Sequence, residues 1–174
     1  GLNLGGISMI IAGSSSPASG GEHLISHFLD MYAHQNKIEP FAFHGLQVGT
    51  GVYISSLIYD LLKGFKSDEI SEKIVKRKTN YDEKFKKICS FFPSSKYVLR
   101  KIFDKKIKVI GKLKEKLALK WEEIKKETIP MVYSPSEIET YLKKAECSLH
   151  LNEICDNKKL IENAILLSRF IRER

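Results

Sequence analysis

The chain reads as an all-α, multi-helix domain. Its apolar residues recur at helical spacing over several segments, helix-stopping prolines and cap signals divide those segments, and no run alternates as a half-buried strand would. No internal repeat is present. The 174 residues are enough for one well-buried core, so a single domain spanning 1–174 is expected.

The first stretch, Leu2 to Ala12, is apolar and contains Gly5-Gly6, and its periodicity leaves helix and strand both open. Gly13 to Ser16 is a loop. A helix capped by Ser19 or Ser16 then runs to about Asn36, with Leu24, Phe28, Leu29, Met31 and Tyr32 as apolar positions. Asn36 to Phe43, with Pro40, connects to a segment from Gly45 to about Phe65. That segment is nearly free of charge until Asp60, which predicts a central helix buried almost all round.

Ser67-Asp68-Glu69-Ile70 opens a helix expected to close near Arg77-Lys78, where positive charge suits a C-terminus. Asn80 to Phe92 is a short amphipathic helix built on Tyr81, Phe85, Ile88 and Phe91, and Pro93 stops it. Ser94 to Ile129 reads as one or two long helices, broken at Gly111 or a little after. Tyr97, Val98, Ile102, Val109, Leu113, Leu117, Trp121 and Ile124 are its apolar positions. Ser134-Pro135-Ser136-Glu137 is a capping box with proline at the first helical position, opening a helix to about Ala145. The last helix covers Leu160 to Arg172, with Leu160, Ala164, Leu167, Phe170 and Ile171 facing inward.

Net charge is +8 and unevenly spread. Residues 1–60 hold one cation, Lys37, and total −3; residues 61–174 total +11. The lysine-rich stretch Lys101 to Lys126 alternates with core-type residues and glutamates, and lysine exceeds arginine by 24 to five, so a solvated helix face accounts for it and no nucleic-acid partner is expected. No apolar run approaches the roughly 20 residues that cross a bilayer, so no membrane is expected either. The three cysteines, Cys89, Cys147 and Cys155, have neither disulfide-framework nor zinc-site spacing, which fits a reducing, cytoplasmic setting.

The chemistry concentrates in Ser14-Ser15-Ser16-Pro17-Ala18-Ser19-Gly20-Gly21-Glu22-His23-Leu24-Ile25-Ser26-His27, answered by Pro40-Phe41-Ala42-Phe43-His44-Gly45. His23 and His27 lie four apart on one helix face, and His44 sits at the mouth of the next helix. Neutral imidazoles on packed helix ends suit a borderline-soft cation such as Zn²⁺, and a catalytic site usually takes three protein ligands. Glu22 either accepts a hydrogen bond from an imidazole or complements the helix dipole. Ser19 is either a cap or a donor to substrate oxygens. His34 and His150 read as surface residues.

This pattern, Pro17-Ala18-Ser19-Gly20, Glu22-His23, Ser26-His27, His44-Gly45 and Val48-Gly49, resembles the metal-binding half of the iron-containing alcohol dehydrogenase, glycerol dehydrogenase and dehydroquinate synthase superfamily. Within it, the sn-glycerol-1-phosphate dehydrogenase group is most similar. The resemblance implies a helical C-terminal domain of the dehydroquinate synthase-like fold, with Leu2–Ala12 helical. It implies metal ligands His23 and His44 with a third, an aspartate, upstream of Gly1, and a substrate side formed by His27 as catalytic residue with Glu22 and Ser19. The metal would be Zn²⁺, or Ni²⁺ or Fe²⁺ on the same ligands.

No Gly-x-Gly-x-x-Gly follows a strand and the chain begins at Gly1, so NAD(P) is expected to bind mainly to an N-terminal nucleotide-binding domain outside this chain. The fragment alone should be inactive. The implied reaction is NAD(P)-linked interconversion of dihydroxyacetone phosphate and sn-glycerol 1-phosphate, possessed by enzymes that commonly form homo-oligomers. A glycerol dehydrogenase, a dehydroquinate synthase-like enzyme and a catalytically silent helical interaction module are the alternatives. Ser16 stands where the group usually carries arginine, which bears on how a substrate phosphate would be held.

Overall fold

The computed structural model describes residues 2–15 and 18–172, and among them every regular element is a helix. Ser16 and Pro17, and with them the substituted arginine position and the Ser16 cap, lie outside the described residues. The helices are α1 (Leu2–Ala12), α2 (Gly21–Asn36), α3 (His44–Lys63), α4 (Ser67–Ile70), α5 (Tyr81–Phe91), α6 (Lys96–Leu119), α7 (Trp121–Glu127), α8 (Pro135–Lys144) and α9 (Lys158–Leu167).

Helix α2 is the organising element. It packs along α3 on one side and on α9 and the 3-10 turn Ser168–Phe170 on the other. Its inner face carries Ile25, Phe28, Leu29 and Ala33, all buried, and Phe28 and Leu29 are wholly out of water. Around Phe28 an aromatic cluster assembles in edge-to-face contacts: Phe92 lies 4.8 Å away and Phe91 5.6 Å. Phe103 continues it, at 5.2 Å from Phe85 and 4.9 Å from Phe170. The inward residues expected of the last helix, Leu160, Ala164, Leu167, Phe170 and Ile171, are all buried in this core. The α-helix itself closes at Leu167, and the 3-10 turn carries Phe170 inward.

The two helices that bear the histidines approach closely because of one glycine. A Cβ on Gly51 would stand 2.8 Å from the carbonyl oxygen of Glu22 and 3.0 Å from its Cα, closer than packed atoms allow. Only hydrogen fits there. At its far end α2 stops on Lys37, whose φ of 54° is left-handed, and the amide of Ile38 donates back to the Ala33 carbonyl at 3.0 Å in a Schellman closure.

Several expectations are corrected. The N-cap of α2 is Gly20, without a side-chain cap bond, so Ser19 is not the cap; the Glu22 carboxylate instead accepts the Gly20 N–H at 2.7 Å. Helix α3 is not buried all round. Its buried positions are small or uncharged polar residues, Gln47, Thr50, Gly51 and Ser56, of which Gln47 and Gly51 meet α2, while Leu57, Ile58, Tyr59 and Leu61 are exposed. Absence of charge there reflects tight polar packing on one face, not burial on every face.

The helix opened at Ser67 passes after one turn into a π-helical turn, Ser71–Val75, short of Arg77. Its N-cap is Lys66, whose N–H donates to Glu69 at 3.0 Å. The long helix runs through Gly111, where nothing packs close enough to require glycine, and ends at Leu119 with Lys120 as its C-cap. Of its apolar positions, Trp121 is buried, but Tyr97, Val98, Val109 and Leu113 are exposed; Leu99 and Phe103 face the core. The cap at Ser134 forms as expected and Asn80 caps α5, each accepting the amide three residues on.

A second, smaller cluster is separate. Ile70, Trp121 and Ile129 pack with Leu62, Phe65, Leu117 and Ile124, and the Trp121 indole N–H donates to the Phe65 carbonyl at 3.0 Å. Among the described residues no helix is long and apolar enough to cross a membrane. The three cysteines are free thiols.

Candidate metal centre

Helix α2 presents His23 and His27 one turn apart, and α3 begins on His44, so the Gly51 crossing brings three imidazoles together. Ring centroids are 5.5 Å apart for His23 and His44, 5.3 Å for His27 and His44, and 6.2 Å for His23 and His27. His23 and His27 are half-buried and His44 is exposed. His34 and His150 are exposed, and the His150 ring stands 6.2 Å from that of Tyr53.

Two of the imidazoles, His23 and His44, lean on a carboxylate through Nδ1. His23 Nδ1 lies 2.9 Å from Glu22 Oε1, the same oxygen that accepts the Gly20 amide. Burial pushes the Glu22 carboxyl up, yet the hydrogen bonds from His23 and from backbone amides outweigh it and hold the group below its ordinary value. The carboxylate therefore stays ionised and acceptor-only, so His23 donates from Nδ1 and keeps its Nε2 lone pair.

His44 is fixed by a closed network. Its Nδ1 is 2.9 Å from Ser26 Oγ and 3.2 Å from Asp30 Oδ2. Ser26 donates its one hydroxyl proton to Gln47 Oε1 at 3.2 Å, and Gln47 Nε2 donates to Asp30 Oδ1 and to the Ala42 carbonyl, both at 2.9 Å. With Ser26 already donating to Gln47, only a proton on His44 Nδ1 completes the ring, because a lone pair there would face the Asp30 carboxylate. Nε2 of His44 is left as an acceptor. Both of these imidazoles thus have the tautomer that metal-ligating histidines take when a neighbouring acceptor holds the other nitrogen.

His27 differs. Burial first, then the positive charge of Arg172, then the neighbouring imidazoles, depress its pKa below the ordinary value, so it is neutral at physiological pH. Arg172 comes from the far end of the chain, placed beside α2 by the turn that follows α9.

A second grouping includes a residue that the sequence reading passed over. His27, Asp30 and His44 each offer one ligand atom, and these atoms lie within 4.8 Å of one another. Donors on one tetrahedral zinc, at about 2.0–2.1 Å from it, stand roughly 3.3 Å apart, so modest side-chain rotation would close them on an ion. Imidazole with carboxylate is a donor set suited to Zn²⁺, Fe²⁺ or Ni²⁺. The signal for Asp30 was present as His27-x-x-Asp30, an i,i+3 pair on one helix face. Ser26 and Gln47 carried no such mark, and nothing in the sequence placed Arg172 here.

Beside His44 opens a groove of about 590 Å³ lined by Asp30, Glu39, Pro40, Ala42, Phe43 and Leu46. Glu22 sits at the opposite side of the cluster. Ser19 is half-buried two residues before α2.

The chain is similar in sequence to glycerol-1-phosphate dehydrogenases. It is 48% identical over 56 residues to the glycerol-1-phosphate dehydrogenase (NAD(P)+) of Thermofilum pendens, a match covering 32% of this chain and 15% of that protein. It is 41% identical over 70 residues to that of Korarchaeum cryptofilum, covering 40% and 21%, and 45% over 69 residues to that of Staphylothermus marinus, covering 40% and 18%. The chain thus spans about a fifth or less of the length of the curated relatives it matches. No family model and no solved structure matches it. Over the matched stretch the chain is homologous to the glycerol-1-phosphate dehydrogenases, and its all-α fold with a His/Asp cluster is consistent with a metal-binding domain of their superfamily.

Proposed function

We propose that this chain is the metal- and substrate-binding part of an NAD(P)-linked dehydrogenase of a small polyol phosphate, interconverting dihydroxyacetone phosphate and sn-glycerol 1-phosphate in the longer protein. The observation that carries the reading is the meeting of His23, His27 and His44 from two helices, with Nδ1 of His23 and His44 each held by a carboxylate, in a chain homologous over a third of its length to glycerol-1-phosphate dehydrogenases.

His23 and His44 would hold the ion through Nε2, joined by an aspartate from the preceding part of the protein. Zn²⁺ is the first choice, with Ni²⁺ and Fe²⁺ accepted by the same donors. Such an ion supplies Lewis-acid polarisation of the substrate oxygen. The chain's own residues do the rest. Glu22 and the Ser26–Asp30–Gln47 network orient the two ligating rings. His27, neutral and beside them, would face the substrate and accept or return the hydroxyl proton at a ring nitrogen. Ser19 and Glu22 border the substrate side. NAD(P) is assigned to an N-terminal nucleotide-binding domain, since residues 1–174 contain no dinucleotide-binding glycine motif.

The spacing of His27, Asp30 and His44 favours a second ligand set wholly within this chain. Zinc titration of the purified chain separates the two. With His23 and His44 as ligands, His23→Ala and His44→Ala each lower zinc affinity at least a hundredfold, Asp30→Asn lowers it by about 10–100-fold through loss of the orienting bond, and His27→Ala leaves it within a few fold. Loss on His27→Ala with retention on His23→Ala assigns the second set. Zinc affinity unchanged in all four variants would remove the metal reading altogether.

A further inference from the structure

Helix α6 turns one face to the core and the other to solvent, and its charge is gathered on the second. Leu99 and Phe103 are buried, the Phe103 ring against those of Phe85 and Phe170. The helix holds nine basic side chains and two acidic ones, of which Asp104 is taken by Arg100 at 3.1 Å. Lys101, Lys105, Lys108, Lys112 and Lys116 are all exposed and recur every three or four residues. At about 3.6 residues per turn they fall within roughly 80° of the helix circumference and run roughly 22 Å along its axis.

Solvation alone accounts for such a stripe, but not for what accompanies it. Tyr97, Val98, Val109, Leu113 and Leu119 are exposed on the same helix, from 48% for Val109 to 86% for Leu119. By the same helical geometry, Val98, Val109 and Leu113 follow one edge of the lysine stripe, and Tyr97 and Leu119 stand at its two ends. The Lys101 ammonium lies 4.4 Å from the centre of the Tyr97 ring. Both features weigh against the chain in water: Lys108, Lys112 and Lys116 repel one another at i,i+4 spacing, and the apolar side chains among them stay wet. An occupant that is anionic at its surface and apolar just beneath relieves both.

We infer that the outward face of α6 binds the surface of an anionic lipid bilayer, with the helix lying in the membrane plane, its lysines among lipid phosphates and its exposed apolar side chains at the headgroup boundary. Lying on a bilayer needs this kind of face, not the roughly 20-residue apolar span that crossing needs. The lysine stems are themselves apolar and let the ammonium groups stay at the wet surface. A nucleic acid would meet the charge and leave the apolar residues in water, and the stripe is lysine throughout where arginine's planar fork suits phosphate readout. Helix α6 carries none of the three histidines, so this binding is independent of the proposed function.

The test is co-sedimentation of the 174-residue chain with vesicles of phosphatidylcholine alone and of phosphatidylcholine with about one third phosphatidylglycerol. The wild type is expected to bind the anionic vesicles at least twentyfold more tightly than the neutral ones, and less tightly as salt is raised. Replacing Lys108, Lys112 and Lys116 together by Gln should weaken binding about a hundredfold, at about fivefold per lysine. Replacing Lys37, Lys144 and Lys159 by Gln removes the same charge from exposed positions off this helix and should cost about fivefold or less. Val109→Gln with Leu113→Gln keeps every charge and should weaken binding about tenfold through lost apolar contact. Equal binding to the two kinds of vesicle overturns the inference, as does equal loss from the two lysine triples. A Val109→Gln, Leu113→Gln chain that binds as the wild type does overturns it too, because the face then attracts charge without meeting lipid. Failure to bind vesicles, with tight binding to single-stranded RNA, assigns the stripe to nucleic acid instead, and failure to bind either leaves a solvated helix face.

Discussion

Glu22 joins two things through one oxygen, the amide that opens α2 and the His23 ring, while its backbone packs against Gly51 of α3. Because its folded pKa lies below the unfolded value, the native state binds fewer protons at that group than the unfolded chain does. The stability it contributes is present above the unfolded value near 4.5 and is lost as pH falls through the depressed folded value. Glu22→Gln removes the titration. Urea unfolding of both proteins at pH 7 and at about pH 3 should therefore show a stability gap that narrows on acidification, and a gap of constant size would mean that the carboxylate is not the ionised acceptor described. At this scale the sequence was partly legible. His23, His27 and His44 announced themselves by spacing and residue type, and Glu22 by its place next to a ligand. Ser26 and Gln47 did not, because a serine and a glutamine on helix faces are ordinary residues until a second helix closes a hydrogen-bond ring over them, and Asp30 showed only in its i,i+3 spacing from His27. Arg172 is more than 140 residues from His27 in the chain, and only the fold makes them neighbours.

Among the helices, two glycines in similar helical surroundings have opposite expected consequences. Gly51 and Gly111 both lie inside long helices, where alanine is ordinarily favoured by about 1 kcal/mol. At Gly111 a methyl group meets nothing within 4 Å, so Gly111→Ala should stabilise the protein by about 0.5–1 kcal/mol. At Gly51 the added carbon would stand against the Glu22 backbone at 2.8 and 3.0 Å, and backbone, unlike a side-chain tip, cannot swing aside. Helices α2 and α3 must separate, at a cost of about 1–3 kcal/mol. That separation also draws His44 from His23, so Gly51→Ala should lose zinc affinity at least tenfold while Gly111→Ala keeps it. Thermal melts with zinc titrations of the two variants check both halves. This asymmetry explains why helix positions were legible when their interactions were local and less so when they were not. The Ser134 cap formed as read because a cap is settled within four residues. The break at Lys120 and the exposed outer face of α3 depend on what packs against those helices, which periodicity does not state.

At the scale of the whole molecule, the two hydrophobic clusters divide the labour. The larger joins α2, α5, α6, α9 and the turn after it, and it holds both the histidine helix and the residues that place Arg172. The smaller, around Trp121, gathers α4, α7 and the end of α3 with only three fully buried side chains, and its π-helical turn and short helices rest on few apolar contacts. Opening free energy follows buried apolar contact, so the smaller unit should open without the larger one. Native-state hydrogen exchange should show amides of α2 and α9 exchanging only through global unfolding, and amides of Ser67–Val75 and Trp121–Glu127 exchanging at least a hundredfold faster. Zinc sharpens the contrast. Binding to the native state adds protection in proportion to saturation, but only to elements whose opening destroys the site. Added zinc should slow exchange in α2 and the first turns of α3 and leave Trp121–Glu127 unchanged. Uniform slowing across both clusters would show that they unfold as one unit, and that the Trp121 region is part of the same cooperative structure that holds the three histidines together.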